Sequence, residues 1–82
     1  MAASRVDINR WFDEGISEGA THMIVVCDTW DYEDYPVFVK PGEDARVVAA
    51  QNNGVNMQRV MEVYDLSMDK NTQMNETRAF HY

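Results

Sequence analysis

Residues His22 to Thr29, HMIVVCDT, are apolar on both of the alternating sets that a β-strand presents, with Met23, Val25 and Cys27 on one side and Ile24 and Val26 on the other. A strand of this kind is covered on both faces, so it belongs in the middle of a sheet. The chain has only 82 residues, one domain's worth, and a domain of that size buries roughly 60 to 65% of its unfolded surface. Few other elements are available to flank the strand and cover it.

The remaining elements follow from changes of period. Ile8, Trp11, Phe12 and Ile16 recur at i, i+3, i+4 and i+8, with Asp13, Glu14 and Glu18 on the opposite face. Ser4 offers an N-cap and Gly19 a stop, which predicts a helix over 4–18. Gly15 inside it either marks the close approach of another backbone or is simply tolerated, at a cost of up to ~1 kcal/mol relative to alanine. The apolar run predicts a strand over 21–29. YPVFVK predicts a second over 35–40, with Pro36 at a strand entry or a sheet edge and Pro41-Gly42 ending it. Ala45, Val48 and Ala49 at helical spacing, with Glu43 and Asp44 in the first turn, predict a helix over 43–52 that stops at Asn53-Gly54. MQRVMEVYDL predicts a third strand over 57–66, with Met61 and Val63 facing the core and Val60 and Tyr64 partly on the other side. The tail, 67–82, carries a polar stretch of weak helical periodicity, DKNTQMNETR. It finishes on Ala79, Phe80, His81 and Tyr82, aromatics that call for a place to dock.

The expected fold is therefore α+β, a single domain over 1–82 in the order α-β-β-α-β. The short link between the first two strands makes an antiparallel hairpin. The helical crossover makes the second and third strands parallel, giving a three-stranded mixed sheet with the first strand central and both helices on one face. The other face, with Ile24, Val26, Val60 and Tyr64 partly turned to it, then needs the tail, a second subunit or an exchange of tails. A homodimer anchored by Phe80 and Tyr82 is the expected answer.

Charge and composition restrict function. Fourteen acidic residues against seven basic ones, a net charge of -7, repel nucleic-acid phosphates and suit a basic protein surface instead. Cys27 is the only cysteine and His22 and His81 the only histidines, which allows no disulfide within the chain and is too few for a zinc cage. The start, MAASRVDINRW, has no apolar leader segment, and no apolar run approaches the ~18 residues of a membrane span. A cytoplasmic protein is expected. No nucleophile elbow, no glycine-rich phosphate loop and no histidine beside Cys27 marks an active site, so neither catalysis nor a metal or cofactor is expected. Cys27 reads as a buried structural thiol and His22 as a half-exposed strand-start residue.

CDTWDYEDYPVFV, Cys27 to Val39, then supports three readings. A calcium loop of the helix-loop-helix kind needs a central glycine and a distal glutamate, and this stretch has neither. A weaker divalent-ion site on Asp28, Asp31 and Asp34 stays open, as does a solvated hairpin tip whose charges keep an edge from pairing. The third reading is a partner-binding surface of Asp28, Trp30, Asp31, Tyr32, Glu33, Asp34 and Tyr35, in which the rings supply contact area and the carboxylates complement a basic host protein. A separate cationic set, Arg46, Arg59, Arg78 and His81, suits a shared pocket between subunits that stacks a base and clamps a phosphate, or else a scatter of surface ion pairs.

THMIVVCDTWDYEDYPVFVKPGED, NMQRVMEVYDL and the terminal RAFHY together resemble a group of short acidic proteins encoded by bacteriophages and prophages, over most of the chain. The resemblance carries no catalytic motif and transfers no functional residue. It implies the context of a host-takeover or counter-defence factor, such as an anti-CRISPR inhibitor or a protein that sequesters a nucleotide signal, acting in the cytoplasm of a bacterial host.

Overall fold

Ser4 starts the first helix, α1 (Arg5–Ser17), through a reciprocal cap: its hydroxyl accepts from the Asp7 amide at 3.2 Å and the Asp7 carboxylate accepts from the Ser4 amide at 3.3 Å. Gly19, at φ +76°, ends it by letting the Ala20 amide turn back to the Gly15 carbonyl at 2.9 Å. The computed structural model describes residues 4–54, 57–76 and 78–82. In these the elements after α1 are β1 (His22–Asp28), β2 (Glu33–Val39), α2 (Ala45–Gln51), β3 (Gln58–Asp65) and α3 (Lys70–Met74). The second helix begins later than its sequence predicts. Asp44 is its N-cap, accepting from the Arg46 amide at 2.9 Å, and Glu43 sits outside the first turn, accepting from the Lys40 amide at 2.8 Å.

The strand order is β2-β1-β3, with β1 central as its two apolar faces require. Both neighbours run antiparallel to it, so the expected mixed sheet is corrected to an antiparallel one. The crossover does leave β2 and β3 pointing the same way, but β1 lies between them and they never pair. Among the described residues a parallel contact occurs only where the tail meets the outer edge of β3. There the Val63 amide donates to the Ala79 carbonyl at 2.8 Å and the His81 amide to the Val63 carbonyl at 2.9 Å.

The helices lie on opposite faces, not on one. α1 covers Met23 and Val25 with Ile8 and Phe12, joined by Tyr64, Leu66 and Ala79; Phe12 meets the Tyr64 ring edge-on at 6.3 Å. α2 covers Ile24 and Val26 with Ala45 and Ala49, joined by Val39, Val60 and Val63. The face expected to need the tail or a second subunit is thus covered within the chain by α2. Phe80 and Tyr82, both partly exposed, stack on each other, their rings 6.4 Å apart and 21° from parallel.

Three further departures have local causes. A bulge opposite Val25 and Val26 adds a residue to β3, so Val60 and Val63 share the α2 face while Met61 and Tyr64 pack on the α1 side. Strict alternation had paired them the other way. In α1, Ile16 is exposed and Gly15 takes its place in the buried stripe. Gly15 is not merely tolerated, since an added Cβ would stand 2.7 Å from Leu66 Cδ1 and 3.0 Å from Phe38 Cε1. The polar tail, finally, is anchored by a buried glutamine, Gln73, on α3.

Candidate functional site

The β1–β2 connection is the four residues 29–32, and its shape is set by side chains folding back on the backbone. The Asp28 carboxylate accepts from the Trp30 amide at 2.9 Å and the Asp31 carboxylate from the Glu33 amide at 3.2 Å, two turns of the kind Asp favours. Thr29 ties the loop to the entrance of β3, its amide and hydroxyl both donating to the Met57 carbonyl, at 2.8 and 2.6 Å. Tyr32 closes the turn with φ at +58°, and Met57 beside it has φ +63°. Left-handed backbone costs a bulky side chain of order 1–2 kcal/mol.

The consequence is two aromatic rings presented outward. Trp30 is 76% exposed and Tyr32 67%, and exposed Met57 stands next to them. Around this tip are Asp28, Asp31, Glu33 and Asp34. Tyr35 departs from the group: it is half-buried, packs on the α2-side core and takes a hydrogen bond on its hydroxyl from the side-chain NH₂ of Gln58. Asp34 faces Cys27 in the β1–β2 register. Burial first, and then the Asp34 carboxylate, push the Cys27 thiol above its ordinary value, which keeps it protonated and unreactive. Among the described residues no three His, Cys, Asp or Glu side chains converge as a metal cage would need. Nor is any helix among them long and apolar enough to cross a membrane.

The cationic set does not assemble. Arg59 lines a hollow of about 450 Å³ beside the tip, with Thr29, Tyr32 and Met57. Arg78 is exposed elsewhere, and His81 Nε2 lies 2.5 Å from the Glu76 carboxylate. Arg46 alone joins the terminal aromatics, its guanidinium carbon 4.8 Å above the centre of the Tyr82 ring, at the wall of a cavity of about 380 Å³. His22 Nδ1 is 3.0 Å from the Thr21 hydroxyl, while its Nε2 is buried without a hydrogen bond, 3.9 Å from the Asp65 carboxylate.

Two participants leave little trace in the sequence. Apolar periodicity places Met57 in the third strand, whereas its left-handed backbone, φ +63°, sets it just before β3. Asn53 lies one residue beyond Asn52, the C-cap of α2, and its side-chain oxygen accepts from the Val60 amide at 3.2 Å at the rim of both hollows. Comparison with known proteins finds no family model, no curated protein and no solved structure that matches the chain.

Proposed function

We propose that this protein is a small acidic, non-enzymatic binding protein whose hairpin tip docks onto a basic patch of a partner protein. The observation that carries the reading is the outward display of Trp30 and Tyr32 on a loop that is both locked and strained. A turn serving only to reverse the chain does best with glycine or asparagine at a left-handed position. Holding a tyrosine there, with a tryptophan two residues earlier, costs stability and exposes apolar area, a combination that is concentrated at functional surfaces. The carboxylates of Asp28, Asp31 and Glu33 ring these anchors, as the polar rim of an interface rings its apolar centre. With a net charge of -7, the whole molecule is attracted to a basic partner and steered toward it. Together with the resemblance to phage-encoded acidic proteins, this supports a host-takeover or counter-defence factor that engages a host protein.

The test is affinity capture from bacterial lysate with the wild-type chain and with Trp30→Ala, at low and high salt. The reading expects a protein with a basic surface that the wild type retains, that Trp30→Ala releases, and whose capture weakens as salt rises. Identical capture by both chains refutes it.

A further inference from the structure

We infer that the cavity between α2 and the C-terminal segment is a second, separate binding site, for a small planar aromatic molecule carrying one phosphate or carboxylate group. Its walls supply the two chemistries such a ligand needs. On one side Phe80 and Tyr82 form a stacked pair, 43% and 42% exposed, a ready face for a flat ring. Above them stands the Arg46 guanidinium, 4.8 Å from the Tyr82 ring centre. The cavity is hollow because α2 presents Ala49 and Ala50 to it, residues too small to fill the space between helix and tail. At about 380 Å³ it falls in the size range of small-molecule sites, roughly 300 to 1,000 Å³.

The charge pattern sharpens this. Acidic residues outnumber basic ones fourteen to seven, so a surface arginine has every opportunity to find a carboxylate. Arg10 pairs with Asp7 and Glu14 and Lys70 with Asp13, whereas Arg5, Lys40, Arg59 and Arg78 share with Arg46 the lack of a carboxylate partner among the described residues, so what sets Arg46 apart is its place on the cavity wall over the Tyr82 ring. Arg46 has no carboxylate within 4.0 Å among the described residues, and its ring contact with Tyr82 leaves its planar fork of donors open to a phosphate or carboxylate. Asn53 adds a neutral donor at the rim. Its side-chain oxygen is engaged by the Val60 amide at 3.2 Å, which leaves the amide NH₂ to a ligand. Among the described residues Arg46 is the only cation lining the cavity, so it balances about one negative charge. A polyphosphate would set further anionic groups against a molecule of net charge -7 with nothing to meet them. The site therefore selects an aromatic ring with a single anionic group. A nucleoside monophosphate and an aryl carboxylate share that chemistry.

Titration of ¹⁵N-labelled full-length protein, followed by amide shifts, tests this with AMP, phenyl phosphate and indole-3-carboxylate as probes. Adenosine, inorganic phosphate and ATP are the comparisons. The expected result is that at least one of the three aromatic anions shifts the amides of Arg46, Ala50, Asn53 and Tyr82 and binds about tenfold or more tighter than each comparison molecule. Which of the three binds best tells a nucleotide ligand from an aryl acid. Arg46→Gln should weaken that binding about tenfold or more, the scale of a lost charge-assisted hydrogen bond. Ala50→Leu, at an exposed position that fills the cavity without touching the core, should abolish it, while Trp30→Ala should leave it unchanged. The inference is overturned if none of the three binds below 10 mM, on the order of the weakest specific affinities. It is equally overturned if ATP or inorganic phosphate binds as well, or if binding survives both Arg46→Gln and Ala50→Leu in variants whose spectra remain those of the folded chain.

Discussion

The side chain of Gln73 satisfies both backbone groups of Asp65: its oxygen accepts from the Asp65 amide at 2.8 Å and its NH₂ donates to the Asp65 carbonyl at 2.9 Å. A side-chain amide here takes the place of a neighbouring strand at Asp65, the last residue of β3. It also explains how a fully buried polar residue is accommodated in so small a core.

Replacing Gln73 with Leu keeps the volume and removes these two bonds together with the one its NH₂ donates to the Asp69 carbonyl at 3.2 Å, leaving the amide and carbonyl of Asp65 without that partner. The expected loss is about 2–6 kcal/mol of unfolding free energy, at roughly 1–3 kcal/mol for each of the two unsatisfied Asp65 groups, read from urea denaturation. A change below about 0.5 kcal/mol, the usual spread of surface substitutions, would mean that the tail is not anchored this way.

Gly15 opposes two effects. Alanine would favour the helix by up to ~1 kcal/mol, yet its Cβ would stand 2.7 Å from Leu66 Cδ1 and 3.0 Å from the Phe38 ring. Overpacking costs about 1–3 kcal/mol and wins. Gly15→Ala should destabilise slightly, and Gly15→Val by more than about 2 kcal/mol on the same scale. Thermal denaturation of the pair checks the order, and a stabilised Gly15→Ala would contradict the packing.

Asp65 gives the fold a pH dependence. Burial pushes its carboxyl up, but the Ser67 hydroxyl at 2.6 Å, the Ser67 amide at 2.9 Å and the charges of His22 and His81 outweigh it, so the net shift is downward. A lowered folded-state value means that the contribution is fully present above the ordinary aspartate value and is lost as pH falls through the folded one. Ser67→Ala should therefore cost about 1 kcal/mol near pH 7, and the gap from wild type should close as the pH is lowered below 3.8, the ordinary aspartate value. A gap that stays constant down to acid unfolding would assign the effect to packing.

Local signals carried much of this structure in the sequence. Ser4 and Gly19 bound α1, Pro36 marks a strand entry or an edge and falls on the edge strand β2, and the doubly apolar HMIVVCD run names the central strand. Relations between distant elements were not legible. Which face α2 covers depends on the path of its crossover, and a seven-residue helix with Ala45 and Ala49 as its buried positions carries too little apolar area to declare that path. The bulge at Met61 is invisible to a pattern that assumes strict alternation. The tip residues were found from type and spacing alone, because Trp and Tyr between carboxylates stand out. Tyr35 turns inward as part of β2 and Tyr32 outward at a left-handed turn position, a difference that no periodicity encodes.

Tyr32 provides the most direct measurement of the central claim. At φ +58° a glycine is relaxed where tyrosine is strained, so Tyr32→Gly should raise stability by up to about 1 kcal/mol even after the entropy that glycine adds to the unfolded chain. If the tip exists to bind, the same substitution should weaken partner capture about tenfold or more, the effect of removing an aromatic anchor from an interface. Unfolding free energy and capture measured on Tyr32→Gly beside the wild type decide the matter. A more stable chain that has lost its partner is the predicted result, and a more stable chain that captures its partner undiminished would contradict it.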